Sequence, residues 1–266
     1  MLTLCTWQWA LLALGAMLVG FSKTGIGGVG VLGVAIFALI LPAKESTGFI
    51  LPLLVIADIT AVLSYRRHAQ WSHLPHLFTW AVPGILIGYF AMDHMNNSQT
   101  KGVIGGILLL GIGLHFWRQN KLRRDGKHAD EAVPHSFWFV VTSGMLAGFA
   151  TMTANAAGGI VILYLIAMRL PKMEFLGTCA WYFFIMNTFK LPLSHRLGLI
   201  NAQSLWLDLA LIPFVLLGAL GGRLAIPRIN QRLFEQLAIS LTMLSAIYLL
   251  TSAWNISGWI RSLFPM

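Results

Sequence analysis

The chain has 266 residues, of which 57% are hydrophobic and only 10% charged, with a mean hydropathy of +0.75. Soluble domains carry about 25% charged residues, so a soluble globular protein is excluded. The net charge of +9 lies mostly in short loops between apolar stretches, where it orients a membrane protein rather than marking a nucleic-acid partner.

A bilayer crossing needs about 20 apolar residues. In chain order, residues 49–65, 74–92, 102–117, 179–193, 204–226 and 233–254 supply single candidate spans, while 9–41 and 137–170 are longer. The class is all-α, a polytopic membrane protein of about eight segments, because the alternating ten-residue segments of a membrane barrel are absent. No Lys or Arg precedes Lys23, so the N-terminus lacks the basic flank of a secretory signal and is expected to stay in the fold.

The first long stretch contains GFSKTGIGGVG at 20–30. Glycines and a lysine at bilayer depth are out of place in a plain helix, but they suit a re-entrant turn. Irregular backbone is tolerated there only when buried in protein or facing water. The freed N–H groups at the start of a half-helix can hold an anion. Lys23, Thr24, Gly25, Gly27 and Gly28 are therefore candidate anion-binding residues. The competing reading puts Lys23 at the interface, snorkelling from a simple helix.

The next span holds Asp58, which with Asp208 is one of two carboxylates well inside a predicted span. It can balance Lys23 or carry a coupling proton. After Arg66-Arg67 come His68, His73 and His76. No accompanying carboxylates make a metal site of them, so they read as interface histidines. Gly84-x3-Gly88 and Gly144-x3-Gly148 suit close helix packing, and Trp71, Trp138 and Trp254 suit interfacial anchoring. Cys5 and Cys179 have no ligand spacing and read as small apolar residues.

The second long stretch contains TMTANAAGG at 151–159. Thr151, Thr153, Asn155 and Gly158 offer hydroxyls, an amide and a flexible backbone to an oxyanion, or hydrogen bonds between helices. Asn187 and Lys190 follow, three residues apart on one helix face. Lys190 either adds net positive charge to the site or reaches the outer headgroups.

An internal repeat relates the halves at a register near 129. Gly20-Phe21 falls on Gly148-Phe149, Pro42-x-x-Glu45 on Pro171-x-x-Glu174, Gly48 on Gly177, Asp58 on Asn187 and Arg67 on Arg196. With a one-residue slip, Pro83-x4-Gly88 falls on Pro213-x4-Gly218. The expected organisation is a first repeat at 1–118, a cytoplasmic connector at 119–135 and a second repeat at 136–266.

If each long stretch crosses once, the halves are parallel and the loop Lys/Arg divide 9 to 7. If each folds back as a hairpin, the halves are inverted and the division is 12 to 4. Basic residues concentrate on the cytoplasmic side, which favours the hairpins and puts both termini outside. Inverted repeats with broken helices are a recurring transporter plan.

The run GFSKTGIGGVGVLGVAIFALILPAKESTGFILPLLVIADITAVLSYRRHAQW, with GMLAGFATMTANAAGG, RLPKMEFLGT and LPLSHRLGLIN further on, resembles the two halves of the TauE/SafE sulfite exporter family. The resemblance implies an anion permease of the bacterial inner membrane for sulfite, sulfonates or related compounds. Relatives often carry His-Ala-Gly-Gly at the second apex. Here it is Asn155-Ala156-Ala157-Gly158, which cannot titrate.

The function expected is export of a small sulfur anion, driven by the membrane potential or a proton gradient. Its partners are that anion and the lipid bilayer. A proton-coupled importer is the alternative, and a membrane enzyme or assembly factor lies further off. No nucleophile–histidine–acid set, phosphate loop or nucleotide motif points to catalysis or a cofactor.

Overall fold

A computed structural model of the chain describes residues 5–41, 43–72, 74–92 and 137–253, with single positions between 94 and 113. The connector, most of the predicted span at 102–117, and Pro42, His73 and Trp254 lie outside the described residues.

Among these residues there are nine α-helices and no strand. They are α1 (Thr6–Thr24), α2 (Gly30–Ile40), α3 (Ala43–Tyr65), α4 (Leu74–Ala91), α5 (Phe137–Ala154), α6 (Gly158–Ala167), α7 (Lys172–Arg196), α8 (Ala202–Ala225) and α9 (Gln231–Ala253). Five stretches are long and apolar enough to cross a membrane: Glu45–His68, Leu74–Ala91, Phe137–Ala154, Ala202–Arg228 and Gln231–Ser252. At 25 residues α7 is long enough too. It spends its apolar positions on Thr178, Asn187, Lys190 and Ser194, all turned into the protein. The outer face of α8 carries exposed Trp206, Leu209, Leu217, Leu220 and Leu224, a strip that suits lipid and not water.

Both long stretches break and fold back. Phe37 and Gly33 of α2 lie against Gly15, and Gly30 lies against Ser22, so α2 returns along α1. In the second pair the rings of Phe139 and Tyr164 stack with centroids 5.7 Å apart, which a continuous helix of that length would not allow. With 11 and 10 residues, α2 and α6 reach about 16 Å at 1.5 Å per residue, roughly half of a 30 Å hydrocarbon layer.

Among the described residues the apolar core divides into two large clusters and a small one of Ala61, Val62 and Ala180 between α3 and α7. Of the large ones, one joins α1, α2 and α3 with α8, and the other joins α5, α6 and α7 with α4 and α9. Each trio therefore packs with the helix that follows the other trio. The contacts are reciprocal in detail. Gly20 meets the Val215 carbonyl as Gly148 meets that of Ala81, and Gly218 meets the Met17 carbonyl as Gly84 meets that of Met145.

These contacts pair Gly84 with Gly218 and Gly88 with Gly222. That is one helical turn away from the sequence match of Pro83 with Pro213. Close backbone approach, which only glycine permits here, sets the equivalence, and the prolines do not.

Helices α3 and α7 run antiparallel. The start of α3, at Gly48, abuts Leu199, while the start of α7, at Gly177, abuts Tyr65, His68 and Ala69. Midway, Asn187 Nδ2 donates to Asp58 Oδ2 at 2.6 Å.

Candidate functional site

The tips of the two hairpins face one another. A Cβ at Gly27 would touch the Ile162 side chain, and one at Gly158 would stand 3.9 Å from the Gly27 carbonyl oxygen. The first tip is closed by its own bonds: Gly25 N–H donates to Phe21 O at 2.7 Å and Ser22 Oγ to Gly27 O at 2.7 Å. At the second tip Asn155 has φ 51°. Its N–H donates to Thr151 O, the bond of an αL helix end with asparagine in the left-handed position, and that of Ala156 donates to Ala150 O.

Between the tips and the α3–α7 pair lies a cavity walled by Lys23, Asp58, Thr151, Asn155 and Asn187, with Phe183, Ile162, Phe175 and Leu176 on its apolar side. Its volume of about 60 Å³ is space for roughly four to six waters at 10–15 Å³ each and so for a small oxyanion.

Three charged side chains stand here. Lys23 Nζ pairs with Asp58 Oδ1 at 2.8 Å and sits 4.1 Å above the centre of the Phe183 ring. Asp58 is fully buried, and Lys23 with Asn187 holds both of its oxygens. Such a cluster offsets the cost of desolvating a carboxylate only while its partners remain. Lys190 is 1% exposed. Its Nζ donates to Thr151 O at 2.7 Å, Thr151 Oγ1 at 2.9 Å and Asn155 Oδ1 at 2.7 Å. Three acceptors match the three protons of an ammonium group.

Of the residues singled out from sequence, Lys23, Gly25, Gly27, Asp58, Thr151, Asn155, Gly158 and Asn187 line the cavity. Lys190 stands behind Thr151 and Asn155, buried and turned into the protein instead of outward. Thr24 turns away, its hydroxyl donating to Ala219 O at 2.6 Å on α8 while its carbonyl accepts from Tyr65 Oη at 2.6 Å. Gly28 packs on Leu241 of α9, and Thr153 gives its proton to Phe149 O within its own helix.

Sequence reasoning did not find Ser22, Phe183 or Cys179 on the wall. A signal existed for two of them. Cys179, Phe183 and Asn187 are spaced by four on α7 and share one face, so the polar face already marked by Asn187 and Lys190 points back to them.

A family description matches this chain over residues 12–249, that of the sulfite exporter TauE/SafE. The chain belongs to the TauE/SafE family. The match spans both hairpins, the α3–α7 pair and the cavity, and with the apolar helices it makes the protein an integral membrane protein of a transporter family. Neither the curated proteins nor the solved structures give a match. Among the described residues no group of three or more His, Cys, Asp or Glu side chains could hold a metal ion.

Proposed function

We propose that this member of the TauE/SafE family exports a small sulfur-containing anion, sulfite or an organosulfonate, from the cytoplasm across the bacterial inner membrane. The observation that carries the reading is the charge of the site: Lys23, Asp58 and Lys190 leave one positive charge beside a cavity of oxyanion size. Lys23, Gly25, Gly27, Thr151, Asn155, Gly158 and Asn187 are the residues assigned to the anion, with Asp58 as the charge-balancing group.

The inside-negative potential is worth about 2.3 kcal/mol per charge per 100 mV. Tenfold in concentration is about 1.4 kcal/mol, so a monovalent anion leaves against a gradient of tens-fold without a coupling ion. Uptake would need a proton or sodium ion on Asp58. Both oxygens of Asp58 are already engaged, which favours export.

The proposed architecture is two inverted repeats, 1–118 and 136–266, joined by a cytoplasmic segment at 119–135, with eight membrane segments and both termini outside. The antiparallel packing of the matched helices α3 and α7 supports inversion, because repeats related by an axis along the membrane normal would set them parallel.

The test is flux in proteoliposomes with labelled sulfite and an imposed potential. Current carried by sulfite or methanesulfonate is expected. Electroneutral movement that requires a proton gradient would overturn the uncoupled mechanism, and turnover of substrate without flux would overturn transport.

A further inference from the structure

Thr151 differs from its neighbours in where its hydroxyl proton goes. Thr153 and Thr178 give theirs to the carbonyl four residues back, at 2.9 and 2.7 Å. Thr151 instead receives a proton, from Lys190 Nζ at 2.9 Å. A hydroxyl has one proton and two acceptor positions. Among the described residues no protein oxygen accepts the Thr151 proton, and Thr151 lines the cavity.

Lys190 has spent all three protons on Thr151 O, Thr151 Oγ1 and Asn155 Oδ1. It is buried behind that wall and has none left for an anion. Asn155 is fixed in the same way. Its Oδ1 accepts from Lys190 and its Nδ2 donates to Thr47 O at 2.9 Å, and among the described residues no acceptor takes its second amide proton.

We propose that Lys190 is a positioning residue for anion recognition: by donating to Thr151 Oγ1 and Asn155 Oδ1 it holds an acceptor position on each and turns their remaining protons toward the cavity. This rests on the reading of the cavity as the anion site. The adjacent positive charge also polarises the Thr151 hydroxyl, and a charge-assisted donor is roughly twice as strong as a neutral one. Protons turned toward the cavity at Thr151 and Asn155 favour a fully ionised oxyanion there over a ligand that must itself donate at that place.

The experiment uses the full chain in proteoliposomes, with methanesulfonate and sulfite as probes and initial flux measured against concentration. Thr151→Val keeps the shape and removes the hydroxyl. Its half-saturating concentration is expected to rise about tenfold or more, as for a lost hydrogen bond to a charge, with maximal flux within about twofold. Thr151→Ser is expected to stay near wild type.

Lys190→Met is expected to raise the half-saturating concentration at least as much, and the double variant Thr151→Val/Lys190→Met to fall clearly short of the product of the two single effects, because the route through Thr151 is lost once. Thr151→Val within twofold of wild type overturns the inference, and it decides the matter alone if Lys190→Met fails to fold. Multiplying effects in the double variant also overturn it, since Lys190 would then act on the anion independently. A wild-type protein that carries neither probe overturns the permease reading, and this inference with it.

Discussion

Asp58 and Asn187, which a sequence register near 129 places on one another, are hydrogen-bonded at 2.6 Å where α3 and α7 meet. Lys23 closes the group from the first hairpin. Removing one member of a buried ion pair costs about 3–5 kcal/mol, whereas removing both is often close to neutral. Asp58→Asn is therefore expected to destabilise strongly, and Lys23→Met/Asp58→Asn to recover most of the loss. Unfolding in detergent measures this, and a double variant no more stable than Asp58→Asn would refute the pairing. Flux of the double variant is expected to stay below about a tenth of wild type, because the proposed anion attractor is gone.

The antiparallel α3–α7 pair makes a prediction about sidedness. A phosphatase that folds only outside the cytoplasm should be active when fused at Met266 and inactive when inserted after Ala132. A cytoplasmic fluorescent reporter should show the reverse. Cytoplasmic signal at Met266 would reject the outward terminus, and the same location at both sites would reject an odd number of crossings in the second half.

Much of this arrangement was legible in the residues. The glycine-rich 20–30 and 151–159 stretches marked both hairpin tips because they interrupt apolar runs too long for one crossing and short for two. Asp58 and Asn187 were matched by register alone, and that match proved to be a contact.

What could not be read was direction. Thr24 and Thr151 have the same side chain near the ends of α1 and α5, yet one hydroxyl donates to α8 and the other accepts from Lys190 on the cavity wall. Side-chain orientation at a broken helix depends on tertiary packing, which a local pattern does not contain. The α4–α8 register slipped by a turn for a related reason. Proline in a membrane helix is a conspicuous mark, but glycine carries the backbone contact.

The glycine contacts are testable by a single methyl group. At Gly20 an added Cβ would drive into the Val215 carbonyl and stand 2.9 Å from Ala219 N, both rigid backbone. Gly20→Ala should separate α1 from α8 and cost about 1–3 kcal/mol, as overpacking does. Gly221→Ala is the control, since the nearest atom to its Cβ is 3.8 Å away in the Phe21 ring. There the better helix propensity of alanine should leave stability unchanged or raised by up to about 1 kcal/mol. Equal losses at the two sites, measured by unfolding in detergent, would show that the α1–α8 approach is not what Gly20 is for.

Cys179 gives direct access to the cavity. It lies on the wall with Phe183 and Asn187, it is free, and it is partly exposed. With Cys5 replaced by serine to remove the other thiol, a small thiol reagent should modify Cys179 slowly but completely. Methanesulfonate at saturating concentration should slow that modification severalfold if it occupies the cavity. Because Cys179 stands one turn from Phe183, a bulky adduct there should also block flux. Modification at the same rate with and without methanesulfonate, in a protein that still transports it, would move the anion site away from this wall. The anion would then have to be sought elsewhere along the α3–α7 pair.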